Sequence, residues 1–173
     1  MRSLTTEKSM NCANCGAPMR LVQDKGYFVC DYCTSIYFPV KSEDGVRDLG
    51  EPSTTKCPLC RVQLVSARLD DIPVLQCPRC KGLLIHQSAF AFAVEILRAK
   101  STRPPIRQPA MNPKDLQRPL NCPICGEIMD THPYGGPGNI AIDNCYRCKV
   151  IWLDYGEMGR IIRAPGEDLG RWR

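Results

Sequence analysis

The sequence predicts a small, metal-stabilised α+β fold built from three β-rich modules in tandem. The first observation is that 12 of the 173 residues are cysteines, whereas only 2 are histidines. The second is that every cysteine belongs to a Cys-x-x-Cys pair, and that consecutive pairs form three groups of four. Each group has about 58 residues of chain, and a unit that small rarely folds on a hydrophobic core alone. Metal binding therefore accounts for both the cysteine content and the module size.

The four cysteines of each group have the spacing of a metal site. The loops between the paired motifs contain 14, 16 and 19 residues, against about 15–20 in sites of this kind. Four thiolates in a tetrahedron suit zinc, with Zn–S distances near ~2.3 Å, and leave no open coordination position. Three structural zinc ions are therefore predicted. Their ligands are Cys12, Cys15, Cys30 and Cys33; Cys57, Cys60, Cys77 and Cys80; and Cys122, Cys125, Cys145 and Cys148.

Other uses of the cysteines are less favoured but stay open. Disulfide bonds belong to exported proteins, and residues 1–11 contain no apolar signal segment. A redox Cys-x-x-Cys needs one motif in a βαβ unit rather than six. Iron in a rubredoxin-like site would use the same four thiolates as zinc. Pairing the second motif with the third would need a loop of 23 residues, which is longer than any of the loops above.

The first module, residues 11–40, is predicted to form a ribbon of three short strands. These strands lie over 19–24, 27–29 and 36–38, with a glycine turn between the first two. The residues that follow, 41–55, are polar and contain two glycines and a proline. This composition predicts a linker.

The second module is predicted to form a ribbon and a helix over residues 56–100. A hairpin is expected from 62–68 and 74–76, followed by a short strand over 83–85. The helix has Ser88 as its predicted N-cap and one apolar face at helical spacing. That face either packs on the ribbons or is a surface for a partner or a second copy. Its residues are Phe90, Ala93, Val94 and Leu97.

A basic, proline-rich linker is predicted over residues 101–119, which contain five prolines. The segment 98–118 has a net charge of +5, equal to that of the whole chain. Three zinc tetrathiolates would contribute about −6, so the loaded chain would be near −1 and the positive charge is local. The linker either is a solvated spacer or contacts nucleic-acid phosphates. The candidate contacts are Arg98, Lys100, Arg103, Arg107, Lys114 and Arg118.

The third module, residues 120–163, is predicted to form a ribbon and a short helix, followed by a tail over 164–173. Trp152 comes four residues after the last cysteine and is expected to cover the ribbon's hairpin. Asp154 and Glu157 have the three-residue spacing of a capping box at the start of the helix.

These residues resemble the bacterial branch of the transcription-factor-IIB-type (TFIIB-type) zinc ribbon family, which typically reads C-P-x-C-x-x-x-(L/M)…C-x-x-C-x-G-x-W-L-D-x-G-E. The second module keeps the cysteines and Gly82 but has Leu84, Ile85 and His86 where the family has Trp, Leu and Asp. The first module keeps the cysteines, with Tyr37 at the Trp position and Pro39 at the Asp position, so no helix is expected there. The third module matches at Cys122, Pro123, Cys125, Met129, Cys145, Cys148, Trp152, Leu153, Asp154, Gly156 and Glu157, with Val150 at the usual glycine.

The resemblance implies three rubredoxin-like zinc ribbons with structural zinc, the second and third each followed by a helix. Ribbons of this family serve as nucleic-acid readers, polymerase-docking modules and protein adaptors. The fold alone therefore does not select one activity.

The sequence favours a non-enzymatic, cytoplasmic zinc-binding protein. The longest apolar run, residues 89–94, is too short to cross a membrane. No paired acid and base stands out, so no small-molecule substrate is predicted. A protein-interaction adaptor is the favoured function, with the apolar helix and the hairpin faces as its surfaces. The alternative is a nucleic-acid-associated, transcription-related factor that uses the basic linker and the ribbon faces.

Overall fold

The structure, a computed structural model, describes residues 10–166 and contains two antiparallel sheets. The first module forms a three-stranded sheet of order β1-β2-β3, with β1 at Arg20–Val22, β2 at Tyr27–Val29 and β3 at Ile36–Tyr37. These strands confirm the hairpin and the third strand predicted for this module. Most of the predicted tail, residues 167–173, lies outside the described residues.

A seven-stranded sheet contains the other two modules. Its order is β4-β5-β6-β7-β10-β9-β8, so the second module supplies one half and the third module the other. Three short antiparallel strands in each half build the expected ribbons. The strands are β4 (Val46–Lys56), β5 (Gln63–Leu69), β6 (Ile72–Gln76), β7 (Leu83–His86), β8 (Asp130–Pro133), β9 (Ala141–Cys145) and β10 (Val150–Leu153).

The two ribbons meet where β7 pairs with β10. Leu84 lies opposite Trp152, and each follows the last cysteine of its module by four residues. The neighbouring pairs follow the same symmetry. Leu83 and Ile151 hold equivalent positions in the two modules, and each lies opposite the residue equivalent to the other's partner: Leu83 opposite Leu153, and Ile151 opposite Ile85. A pseudo-two-fold axis therefore passes through the Leu84–Trp152 pair. The contact has the self-complementary form of a symmetric dimer interface, although it lies within one chain.

One face of this sheet is covered by the two helices, α1 (Gln87–Lys100) and α2 (Glu157–Ile162). Side chains alternate along β7 and β10, so Leu83, Ile85, Ile151 and Leu153 all lie in the core beneath the helices. The predicted apolar face of α1 packs there too, with Phe90, Ala93 and Val94 buried. This helix face is therefore core and not a free surface.

The start of α1 differs from the sequence prediction. The helix begins at Gln87, and its N-cap is His86 rather than Ser88. Strand β7 continues directly into the helix, so His86 is the last residue with an extended backbone. Its side chain accepts the hydrogen bond from the Ser88 N–H, which leaves Ser88 within the first helical turn.

The polar segment 41–55 is predicted to be a linker, whereas the structure places most of it in β4. This strand pairs with β5 at the edge of the seven-stranded sheet and has two register shifts. Val46 and Leu49 are buried, and Pro52 is accommodated because an edge strand has one unpaired side.

The proline-rich linker lies against the protein rather than extending into solvent. The Ile106 N–H donates to the Arg163 carbonyl at 2.9 Å, and the Asn139 side-chain amide donates to the Pro109 carbonyl at 3.4 Å. A short 3-10 helix, Pro113–Gln117, follows. Within residues 10–166, no helix has the length and apolar composition needed to cross a membrane.

The N-terminus of α2 is capped by a residue from a distant part of the chain. The buried Asp44 carboxylate accepts hydrogen bonds from the N–H groups of Gly156 and Gly159, both at 2.7 Å. A Cβ at position 159 would lie 3.1 Å from Asp44 Oδ1, so a glycine there lets the carboxylate approach. The negative charge of a carboxylate is also attracted by the partial positive charge at the N-terminus of a helix. Asp44 thus ties the segment before β4 to the end of the third module.

We predict that Asp44→Ala lowers the free energy of unfolding by about 1–2 kcal/mol, because two helix N–H groups lose their acceptor in a buried position. Chemical denaturation of the metal-loaded protein measures this change. Glu43→Ala is the matched control, because the neighbouring Glu43 is exposed. Equal unfolding midpoints for the two variants would contradict the capping role.

Candidate metal centres

Each module brings its four cysteines together in one cluster. The Sγ atoms of a cluster all lie within 4.8 Å of one another. Two Sγ–Sγ pairs of the first module are 3.5 Å and 3.6 Å apart, and the second and third modules each have a pair at 3.7 Å. Metal–sulfur bonds of about 2.3 Å give a tetrahedron with edges of about 3.8 Å, so the clusters fit one ion each. The pairing of cysteines within each module is as predicted.

The cysteines are free thiols and not disulfides. Their Sγ separations exceed the S–S bond length of about 2.05 Å by a wide margin. Backbone N–H groups also point at sulfur: the N–H of Cys60 lies 3.3 Å from Cys57 Sγ, and that of Cys148 lies 3.4 Å from Cys145 Sγ. Such hydrogen bonds favour the thiolate form that binds metal.

All six Cys-x-x-Cys turns share one backbone conformation. The residue after the second cysteine has a positive φ, between 54° and 78°. In five of the six turns its N–H donates to the carbonyl of the first cysteine, at 2.8–3.0 Å. Only two of these residues are glycines, so residue type alone does not predict the positive φ at the other four. The six residues are Gly16, Thr34, Arg61, Lys81, Gly126 and Lys149.

The three centres differ in their surroundings. The second and third centres belong to one apolar cluster, in which Leu84 and Trp152 are buried beside cysteines from both modules. The first centre lies in the separate small sheet, and its ligand Cys15 is exposed. The second and third centres therefore share a core, whereas the first depends on its own module.

Trp152 is the largest side chain in the shared core, and it packs across the pseudo-two-fold axis. Its indole lies over Gly82 of the second module, where a Cβ would come within 2.3 Å of the ring. The prediction that Trp152 covers its own ribbon therefore missed this cross-module contact. The indole Nε1–H donates to Asp154 Oδ1 at 3.0 Å, which satisfies the one polar atom of a fully buried ring.

Arg118, a predicted nucleic-acid contact, is instead held between two carboxylates. Its guanidinium donates to Asp154 Oδ2 at 2.7 Å and to Asp143 Oδ2 at 2.8 Å. Burial raises the pKa of Asp143, although hydrogen bonds from Thr131 and Arg118 oppose the shift. Arg118 thus joins the end of the linker to β9 and to the residue after β10.

Glu157 supplies half of the predicted capping box. Its Oε2 accepts a hydrogen bond from the Asp154 N–H at 2.7 Å, whereas the Asp154 side chain is engaged by Trp152 and Arg118 and caps no helix N–H. Burial raises the pKa of Glu157 to about 8, and the neighbouring carboxylates of Asp154 and Asp143 add to this. Glu157 is therefore largely protonated near neutral pH.

Two other predicted nucleic-acid contacts have partners within the protein. Arg98 donates to the carbonyls of Ile161, Ala164 and Gly166 at the end of α2. Lys100 pairs with Asp70 at 2.7 Å. The remaining candidates are exposed and form no ion pair among residues 10–166: Arg103, Arg107 and Lys114.

Comparison with known proteins identifies two of the modules. Residues 56–90 and 121–164 match the family model of the TFIIB-type zinc ribbon, described as a transcription factor zinc-finger. The two segments are the second and third modules, as their motifs predict. Searches among curated proteins and among solved structures found no match.

We predict that Cys145→Ser disrupts the second module as well as the third, because their metal centres share one core. The first module should keep its structure and its metal ion. Module-resolved NMR and metal counting by native mass spectrometry follow each module separately. Cys30→Ser is the control, because it should affect the first module alone. Unchanged second-module resonances in Cys145→Ser would contradict the shared core.

A second prediction concerns pH. The pKa of Glu157 is raised from its ordinary value of 4.5 to about 8 in the folded protein. The folded state therefore binds the proton more tightly, and its stability falls as pH rises through this range. Between pH 6 and 8 the free energy of unfolding should fall by on the order of 2 kcal/mol.

Glu157→Gln should lose this fall, since glutamine keeps an acceptor for the Asp154 N–H but does not ionise. Chemical denaturation of both proteins across this pH range gives the difference between their free energies of unfolding. Contributions from the cysteines are the same in both proteins and cancel in that difference. Parallel pH profiles would contradict the role of Glu157.

Proposed function

We propose that the protein binds three structural zinc ions and acts as a non-enzymatic protein-interaction adaptor. The match of residues 56–90 and 121–164 to the TFIIB-type zinc ribbon supports the zinc assignment. Four-thiolate clusters with tetrahedral spacing support zinc, and closed coordination shells support a structural role. Each ion would contribute on the order of 10–16 kcal/mol of apparent binding free energy to the folding of its module. Iron would use the same ligands and is the alternative that metal analysis tests.

The second and third ribbons form the base of this adaptor, because they share one sheet and one apolar cluster. Their shared sheet buries the apolar face of α1, which the sequence suggested as a partner surface. Phe92 is the one large apolar side chain of α1 that stays exposed, at 55%. Partner binding is therefore assigned to another part of the protein.

The observation that carries the proposal is a group of exposed apolar side chains on the first module. We call it the first-ribbon patch, and it lies in and around β3. Tyr32 is 81% exposed and Val40 is 83% exposed, and three further members lie between them in sequence. Exposed apolar side chains that occur together on one short segment suit that segment to a protein contact. The patch consists of Tyr32, Ile36, Tyr37, Phe38 and Val40.

Strand β3 adds a backbone surface to the first-ribbon patch. It pairs with β2 on one side, and no strand pairs with its other side among residues 10–166. An extended segment of a partner can add to such an edge through main-chain hydrogen bonds, while neighbouring apolar side chains give specificity. We therefore propose a protein partner that docks an extended, apolar segment here.

The proposal predicts that Ile36→Ser/Phe38→Ser reduces partner capture about tenfold, as expected for loss of apolar anchors at an interface. Affinity enrichment from cell extract with quantitative mass spectrometry gives the comparison with the unaltered protein. The matched control is Ile124→Ser/Ile128→Ser, which removes two exposed isoleucines from the third module.

Native mass spectrometry should find three zinc ions in all of these proteins, which shows that the substitutions leave the modules folded. Equal partner capture by both double variants would contradict the role of the first-ribbon patch. A metal other than zinc would contradict the metal assignment alone.

A further inference from the structure

A group of arginines gathers where the linker meets the end of α2. The Ile106 N–H bonds to the Arg163 carbonyl, so the linker residues on either side of Ile106 lie beside the helix end. The Arg98 guanidinium reaches the same helix end from α1. Arg160 joins through its hydrogen bond to the Asn139 carbonyl at 2.6 Å. We call this group the arginine patch: Arg98, Arg103, Arg107, Arg160 and Arg163.

No carboxylate neutralises the arginine patch among residues 10–166. The ion pairs of these residues involve seven other cations and none of the five arginines. Arg98 and Arg160 donate to carbonyl oxygens, which leaves their positive charge in place. The Nε atoms of Arg160 and Arg163 are buried without a hydrogen-bond partner. The patch therefore keeps an uncompensated positive charge in a protein whose loaded metal centres are anionic.

We propose that the arginine patch binds the phosphate backbone of nucleic acid without reading base sequence. Guanidinium groups match phosphate oxygens in charge and in geometry. Among residues 10–166, the exposed large hydrophobic side chains all lie outside 98–118 and 156–166. The patch therefore has no aromatic ring on which bases could stack and no apolar anchor for a protein. A surface made of charged donors alone fits backbone contacts.

This surface differs in residues and in chemistry from the first-ribbon patch, so the two proposals stand separately. The linker residues Arg103 and Arg107 retain the role that the sequence suggested. Arg160 in α2 and Arg163 at its C-cap join them, although both lie more than fifty residues away in sequence.

The test uses the whole metal-loaded chain of 173 residues, so that Glu167 and Asp168, which follow the patch in sequence, are present. Fluorescence anisotropy measures binding of a short DNA duplex and of single-stranded RNA at several salt concentrations. Arg103→Gln/Arg107→Gln should weaken duplex binding roughly tenfold and reduce the slope of log affinity against log salt by roughly two. Both side chains are exposed and make no ion pair among residues 10–166, so the fold should be unaffected.

Arg61→Gln/Arg79→Gln is the charge-matched control, because both arginines are exposed on the Cys-x-x-Cys turns of the second module. It should bind like the unaltered protein, and an unrelated base sequence should bind equally well. Absence of binding at low salt, or equal weakening by both double variants, would overturn the proposal. Polyglutamate binding as tightly as nucleic acid would instead identify an acidic protein as the ligand and overturn it too.

Discussion

The antiparallel pairing of β7 with β10, closed by Trp152 on Gly82, is the contact on which the rest of the architecture depends. A single ribbon buries too little surface to make a substantial core. Joined edge to edge, two ribbons present one face to both helices and the other to both metal centres. The alternation of side chains along the paired strands separates these two cores cleanly. The metal sites and the helices are thus held by one strand pairing.

Helix α2 shows how much of this structure depends on distant residues. With six residues, it is far too short to persist alone. Its N-terminus receives the carboxylate of Asp44, and its C-terminal carbonyls receive the guanidinium of Arg98. Each charge has the sign that the helix dipole favours at that end. Asp44 precedes the second ribbon in sequence and Arg98 follows it. The two contacts therefore bind the third module to the segments before and after the second ribbon.

Local signals predicted the metal ligands, most strands and the two helices, because cysteine spacing and turn residues act over short distances. The strand β10 and its pairing with β7 were not predicted, since nothing near residues 150–153 shows which edge lies opposite. Strand β4 was predicted to be a linker because its segment is polar and contains glycine and proline. An edge strand tolerates both residues. Arg118 was assigned to nucleic acid because its two carboxylate partners lie 25 and 36 residues away.

The pseudo-two-fold pairing also bears on how the chain is made. During synthesis β7 is complete before β10 exists, and residues 87–149 must emerge between them. Until then the apolar edge of the second ribbon is a template for any similar strand, including one from a neighbouring nascent chain. Two chains that exchanged their third ribbons would form the same contacts as a domain-swapped dimer. The linker opposes that exchange, because it keeps the correct partner at a high effective concentration. Its length thus sets the balance between closure within one chain and exchange between two.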